Sequence, residues 1–362
     1  MKESKLRIDF RTFFILMLVG AIPMVVGTWW LFNSYQDAYQ ELAGLHLSDT
    51  AETAFSMVSS YLQDQIIAVA GLTEIPSLRD QVTIGNQDLK RNLDEVRKSI
   101  PRIGAAWPKL DRESPEVKAI LENAGSKFLR RYTQVNKSYR EIVVTDFLGR
   151  LVATSSRSVP YYRAQDEWWK ETYGDGQRGS VYIGDVHYDA GAHSYLMDLA
   201  QPFVETDGGV IGVIKVVLDT QDINSLLGSI QGGSDTSISL IHAKGDVISA
   251  PGYSVLQQTT YPATLEILNS REKNRRFFIS TALPGSIVGL TQRSFPQMYP
   301  HLNWIVFSTA KTKDLLGPLP ELRMYLLALL LSVFLLVLIA TIMLSRVESK
   351  PVIEEDPHLE RL

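Results

Sequence analysis

The chain contains no cysteine among its 362 residues, which excludes disulfides, a thiol nucleophile, thiolate zinc sites and iron–sulfur clusters. It also lacks an excess of positive charge: 36 basic and 40 acidic residues give a formal net charge of −4. The field that gathers phosphate backbones is missing, and no nucleic-acid partner is expected. No G-x-S-x-G, H-E-x-x-H, Walker A or EF-hand pattern occurs, so the expectation is a protein that is not an enzyme and uses no cofactor. One stretch, Gly174-Asp175-Gly176-Gln177-Arg178-Gly179, matches G-x-G-x-x-G. It follows a helical segment and opens a strand, the reverse of the order that a dinucleotide site requires.

What is present is a core-forming composition, 45% apolar, with its hydrophobicity gathered at the two ends. Residues 12–32 (TFFILMLVGAIPMVVGTWWLF) carry no charge, and at 1.5 Å per residue they cover a hydrocarbon layer of about 30 Å. Residues 324–345 (MYLLALLLSVFLLVLIATIMLS) do the same. A cleaved signal peptide is the alternative for the first run. Its length, and Trp29, Trp30 and Phe32 where a small-x-small cleavage site belongs, favour an uncleaved anchor. Pro23 inside the run is tolerated in a bilayer helix. Lys2, Lys5, Arg7 and Arg11 precede this run and Asp37 and Glu41 follow it, so the positive-inside bias puts residues 1–11 in the cytoplasm. Two spans return the 346–362 tail to that side. Arg346 and Lys350 agree with this, and Arg323 dissents mildly.

Beyond the first span, Ala51, Ala54, Val58, Leu62, Ile66 and Val69 recur in steps of three and four, which predicts one apolar face on a long helix within residues 33–76. Gly71 and Pro76 mark its end. It packs on its own domain, pairs with a second copy, or does both. Residues 77–136 read as further amphipathic helices. The period then changes. EIVVTDFLGRLVATS (141–155) is a hairpin turning at Gly149, and SISLIHAKGDVISAP (237–251) repeats the layout with Gly245 in the place of Gly149. That repeat implies a duplicated module. Between the copies lie SVYIGDVHY (180–188), SYLMDLAQPFV (194–204) and GVIGVIKVVLD (209–219), with a reversal at Asp207-Gly208-Gly209 and a helix opened by Asp222. The second copy continues with a helix near 263–269 and the strand segments RRFFISTAL, GSIVGLTQRSF and HLNWIVFSTA. Antiparallel meanders with helices on one side make an α+β architecture.

Over residues 12–345 the chain resembles the double Cache sensor modules. The likeness rests on the helix leaving the first span, VTDFLGRLVATS, YYRAQDEWWKETY (161–173), GSVYIGDVHYD, AQPFVETDGGVIGVIKVVLD, the repeat hairpin, and NWIVFSTAKTKDLL before the second span. The resemblance implies two PAS-like domains with antiparallel sheets, a membrane-distal one over 77–228 and a membrane-proximal one over 229–318. They are joined to a long N-terminal helix and flanked by two transmembrane helices in a bacterial-type inner membrane. It also implies a small organic ligand in the distal domain, and a homodimer. With only 346–362 on the inner side, a separate signalling protein has to read the signal, or else the chain is a fragment of a split kinase or chemoreceptor. An envelope-protein or polysaccharide interaction module is the alternative function.

The amino-acid-binding branch of that family has an arginine five residues after a tyrosine and two before a tryptophan. Here Tyr161 and Trp168 match, while the arginine position falls on Asp166 and the acid position counted from Gly212 falls on Ile214. An arginine fork grips an α-carboxylate and an acid meets the ammonium, so an amino acid is not the predicted ligand.

The candidate binding residues are Tyr161, Tyr162, Arg163, Asp166, Trp168 and Trp169, which bring four aromatic rings and both charge signs together before a helix. The bland reading of Trp168 and Trp169 is that they anchor the core. His187 and Tyr188 are a candidate opposite wall. Asp185, His187 and Asp189 alternate and are predicted to share a strand face, with His193 just beyond, more as a solvated surface than a metal site. Asp198 stands in an apolar strand, where an unpaired carboxylate costs several kcal/mol. A ligand or a partner is expected for it, Arg163 or Lys215 in the second case.

Overall fold

A computed structural model describes residues 7–8, 10–189, 194–230, 236–253, 260–315, 319–344 and 346–347. His193 and most of the 346–362 tail lie outside the described residues. The chain opens with the two-residue strand β1 (Arg7–Ile8) and the helix α1 (Phe10–Thr73). α1 runs without a break through Pro23. The 12–32 run and the helix expected beyond it are thus one continuous helix. The helix stops at Thr73 because Ile75 turns extended and Pro76 occupies the first position of α2 (Pro76–Arg91), where its missing N–H costs nothing.

Two units divide the chain, residues 44–311 and residues 1–43 with 312–362. In the larger unit α2 is followed by α3 (Leu93–Ala106), α4 (Pro115–Leu121) and α5 (Ala124–Val135), the last capped by the Asn123 side chain accepting from the Ser126 N–H at 2.8 Å. The first sheet contains β2 (Tyr139–Asp146) and β3 (Leu151–Thr154). After α6 (Glu167–Tyr173) it gains β4 (Tyr182–Ile183), β5 (His187–Asp189), β6 (Ser194–Val204) and β7 (Val210–Asp219). Its order is β3-β2-β7-β6-β4, with β5 also on β6. Then come α7 (Gln221–Ser229), β8 (Thr236–His242), β9 (Val247–Ser249), α8 (Thr264–Glu272), β10 (Phe277–Ser280), β11 (Ser286–Leu290) and β12 (Trp304–Lys311), giving a second sheet in the order β9-β8-β12-β11-β10.

The sheets share one wiring: a hairpin at one edge, its first strand pairing with the last strand of the copy. The duplication read from the two hairpins is therefore real at the level of topology. Gly149 (φ 78°) and Gly245 (φ 101°) occupy matching turns in the left-handed region, which a Cβ disfavours.

α1 supplies the common core. Ala54, Val58, Leu62 and Val69 are fully buried. They pack with Ile142, Val144, Ile214 and Val216 of the first sheet and Leu240, Trp304 and Val306 of the second. The apolar face predicted for this helix thus packs on its own domain. Each buried Leu, Ile or Val contributes about 1.5–3 kcal/mol before entropy is counted. The sheets are also bridged directly: Trp304 Nε1 donates to Asp185 Oδ1 at 2.7 Å, and His242 Nε2 lies 3.4 Å from Asp185 Oδ2.

One strand prediction fails. The 180–188 run is broken into β4 and β5, and Asp185 sits in the gap between them. The alternation of Asp185, His187 and Asp189 is consequently not a strand face; Gly184 N bonds to Asp198 O while Asp185 turns towards the second sheet.

The smaller unit contains the first part of α1, with α9 (Thr312–Leu315), α10 (Leu319–Leu344) and β13 (Arg346–Val347), which pairs antiparallel with β1. A methyl group on Gly20 would meet Val337 Cγ1 at 3.0 Å, so α1 and α10 approach closely there. The charge-free runs are helical over residues 12–32 and 324–344, and Phe14, Ile15, Val19, Leu331 and Leu336 on them are exposed. Among the described residues, no helix is long and apolar enough to cross a membrane.

Candidate functional site

The face of the first sheet turned away from α1 carries the site. Period-2 alternation places Glu141, Val143 and Thr145 of β2 on that face, opposite Val217, Lys215 and Val213 of β7. On β6, Asp198 faces Val217 and Ala200 faces Lys215. α6 covers this face. It begins after Asp166, whose carboxylate accepts from Trp168 Nε1 at 2.8 Å.

Trp169 is an anchor. It is buried with Ala200 and Val213, donates from Nε1 to Thr145 Oγ1 at 2.9 Å and stacks on Tyr173 with centroids 4.6 Å apart. Trp168 is buried in the same cluster and in addition meets two cations. Its ring lies 5.3 Å from Lys215 Nζ and 5.6 Å from the Arg163 guanidinium carbon, a double cation–π arrangement. Lys215 pairs with Asp198 Oδ2 at 3.2 Å and Arg163 with Asp166 Oδ2 at 2.5 Å. Two cations and two carboxylates thus close on one indole. Two polar atoms are left over: Arg163 Nε and Asp198 Oδ1 are buried and have no hydrogen-bond partner. Such orphans are rare in native interiors and call for an explanation.

Glu141 adds a third acid, which the sequence reading missed because nothing but strand parity points to it. Burial pushes its carboxyl above the usual glutamate range, opposed by Lys215, the Ser158 hydroxyl and Arg163 and reinforced by Asp198. A carboxyl raised in the fold disfavours folding wherever it is ionised, and that penalty fades as pH falls through its raised range. Glu141→Gln is therefore expected to raise the thermal midpoint at pH 7, with the gain shrinking as pH is lowered towards the ordinary glutamate value. Midpoints collected from pH 8 to 4 check this; a gain that is constant across the series would refute the assigned cause.

The other predicted residues are placed as follows. Tyr161 is buried against Trp107, centroids 5.5 Å apart, in a cluster with Val143 and Leu151; Tyr162 packs on that cluster and bridges to Arg150. His187 pairs across to Leu196 and shares the face of Asp198, but it is exposed. Tyr188 opposes Tyr195, ring centroids 5.1 Å apart, and so belongs to the opposite face of the sheet. Asp198 takes Lys215 as its partner; Arg163 goes to Asp166. The acid position counted from Gly212 also reads differently in three dimensions. Ile214 points into the α1 core, and the residue that enters the site beside it is Lys215, a cation.

No protein-family model matches the chain, and no curated protein matches it. Among solved structures it is similar to the ligand-binding domain of the Campylobacter jejuni chemoreceptor Tlp3 in complex with L-norvaline. The identity is 15% and the TM-score 0.47, over 77% of this chain and 94% of that one. The same domain in complex with 4-methylisoleucine gives 14% and 0.44 over 77% and 93%. The sensor domain of the V. cholerae histidine kinase DctB gives 11% and 0.44 over 77% and 98%. The architecture is the one that the double Cache resemblance implies: α+β, two antiparallel sheets of one wiring, and a long N-terminal helix.

Proposed function

We propose that this chain is an extracytoplasmic small-molecule sensor whose ligand enters the Trp168 cluster. The observation that carries the reading is the pair of orphaned atoms, Arg163 Nε and Asp198 Oδ1, in a partly buried ionic cluster against Trp168. One is a donor and the other an acceptor. The matching ligand is a small polar molecule with an acceptor group for Arg163 and a donor for Asp198, exchanging with the ion pairs that close the site in its absence. A flat or conjugated portion of it suits the Trp168 face.

The two uncharged runs, both helical and studded with exposed apolar side chains, act as the membrane anchors. Residues 77–228 form the distal sensor and 229–318 the proximal one. The chain works as a homodimer, and ligand binding shifts the equilibrium between two arrangements of the helices, which a separate signalling protein reads.

The test is thermal unfolding of the full chain in lipid nanodiscs, against a panel of amino acids, organic acids, amines and purines. A ligand at a hundredfold excess over its dissociation constant stabilises by about 2.7 kcal/mol, a shift of several degrees. Trp168→Leu is expected to fold and lose that response. If no compound moves the midpoint, the interaction-module reading takes over.

A further inference from the structure

A cavity of about 510 Å³ opens between the end of α3, the turn Trp107–Lys109 with the segment after it, and the loop that follows β3. That volume falls within the ~300–1,000 Å³ typical of small-molecule sites. Pro108, Leu110 and Pro160 give it apolar walls, and its charges are of one sign. Among the described residues, Arg112 and Arg157 line it, no acid does, and neither arginine has a carboxylate partner. The acids nearest in sequence to Arg112 are engaged elsewhere. Glu113 pairs with Lys118 Nζ at 2.5 Å, and Asp111 Oδ1 accepts from the Glu113 N–H at 2.8 Å. Ser158 lines the cavity too, but its hydroxyl is engaged by Ser156 Oγ at 2.6 Å and Glu141 Oε2 at 3.4 Å, which leaves the arginines as the selecting groups.

Arg157 is held in place. Its guanidinium carbon lies 4.4 Å over the Trp107 ring, and Nη2 donates to the carbonyls of Trp107 at 2.5 Å and Leu110 at 3.2 Å. Trp107 is itself fixed, 1% exposed, with Nε1 donating to the Val159 carbonyl at 2.8 Å. The two carbonyls occupy Nη2 alone and carry no formal charge. Nε and Nη1 of Arg157 have no partner among the described residues and are not buried, so a ligand can reach them. A guanidinium already held by a ring face and two carbonyls has little side-chain freedom left to lose on binding, and hydrogen bonds from a cation to an anion are among the stronger ones.

We infer that this cavity is a second small-molecule site, taking an organic carboxylate with an apolar body. The carboxylate oxygens are met by Arg157 and Arg112, and the body lies on Pro108, Leu110 and Pro160. The inference is independent of sensing at Trp168 and does not fall with it.

The experiment titrates the full chain in nanodiscs by calorimetry, with empty nanodiscs as the baseline. The probes are 2-naphthoate, its uncharged counterpart 2-naphthamide, and inorganic phosphate. Saturable binding of the naphthoate is expected, with the amide and the phosphate each at least tenfold weaker, since one lacks the charge and the other the body. Gly104 of α3 lines the cavity, and a Cβ added there meets nothing within 4 Å. Gly104→Trp should therefore fill the cavity and abolish binding while leaving the unfolding midpoint unchanged. Arg112→Gln, at an exposed position, should weaken binding at least fivefold, and Trp168→Leu should leave it as it is. Absence of saturable naphthoate binding overturns the inference, as does binding that survives Gly104→Trp or Arg112→Gln undiminished, or that Trp168→Leu removes. Equal affinity for the amide or for phosphate overturns it as well, because the lining would then select neither charge nor apolar surface.

Discussion

Replacing Lys215 by methionine is expected to cost about 3 kcal/mol, the lower end of the ~3–5 kcal/mol for removing one partner of a fully buried ion pair, because the Asp198 side chain keeps 20% exposure. Lys215 is buried, and its ammonium lies 3.2 Å from Asp198 Oδ2. Asp198 Oδ1 already lacks a partner, so the substitution leaves a partly buried carboxylate without its cation. The double variant Lys215→Met/Asp198→Leu removes both charges and is expected to recover most of the loss, because a well-packed apolar pair often matches a buried ion pair. Thermal unfolding of the four proteins gives the coupling as a double-mutant cycle, about 2–4 kcal/mol if the pair is as desolvated as its geometry indicates. A single variant within about 0.5 kcal/mol of the parent would mean that Asp198 reaches water, and the site would then be an ordinary solvated surface.

The cycle also separates stability from sensing. The apolar double variant keeps the sheet but has neither the cation over Trp168 nor the acceptor at Asp198. Restored folding without any ligand response is the outcome that assigns this pair to the binding site. Arg163 and Asp166 then serve as an internal control, since their pair is untouched.

Much of this arrangement could be read from the order of residues, and the parts that could not have physical reasons. The hairpins at Gly149 and Gly245 were legible because a glycine between two β-rich runs has few other uses. The buried face of α1 was legible from its steps of three and four. Its continuity from Phe10 to Thr73 agrees with the reading of a helix that leaves the first uncharged run. Trp168 and Trp169 are adjacent, and sequence alone assigns neither to the core. What decides is that α6 turns one indole onto Thr145 and Tyr173 and the other onto two cations. The Lys215 position is the instructive case. Counting from Gly212 landed one residue early, on Ile214, and in a strand a single step exchanges the two faces. Parity along GVIGVIKVVLD, with Gly212, Ile214, Val216 and Leu218 on one face and Val213, Lys215 and Val217 on the other, would have located the cation. The break between β4 and β5 had no such signal, because it follows from Asp185 bonding to Trp304, a residue far along the chain.

Gly289→Val is expected to be about as damaging as Lys215→Met or somewhat more so. Gly289 lies in β11 against the backbone of α1: a Cβ there would stand 2.3 Å from the Leu47 carbonyl carbon, 2.4 Å from Ser48 N and 2.6 Å from Leu47 Cβ. Backbone atoms cannot swing aside as a side chain can, so helix and sheet must part. The contacts that would be lost are specific. Ser48 Oγ donates to the Leu290 carbonyl at 2.8 Å, and Ser308 Oγ donates to the Leu47 carbonyl at 2.6 Å. Overpacking of well-packed interiors costs ~1–3 kcal/mol and occasionally more; with backbone on both sides and two buried hydrogen bonds strained, about 4 kcal/mol is expected for valine and somewhat less for alanine. Gly71→Ala supplies the contrast within the same helix. Nothing lies within 4 Å of its added methyl, and relief of glycine's entropy should raise stability by about 0.5–1 kcal/mol. Thermal unfolding of both variants checks the pair. If Gly289→Val unfolds near the parent's midpoint, α1 is not clamped to the second sheet.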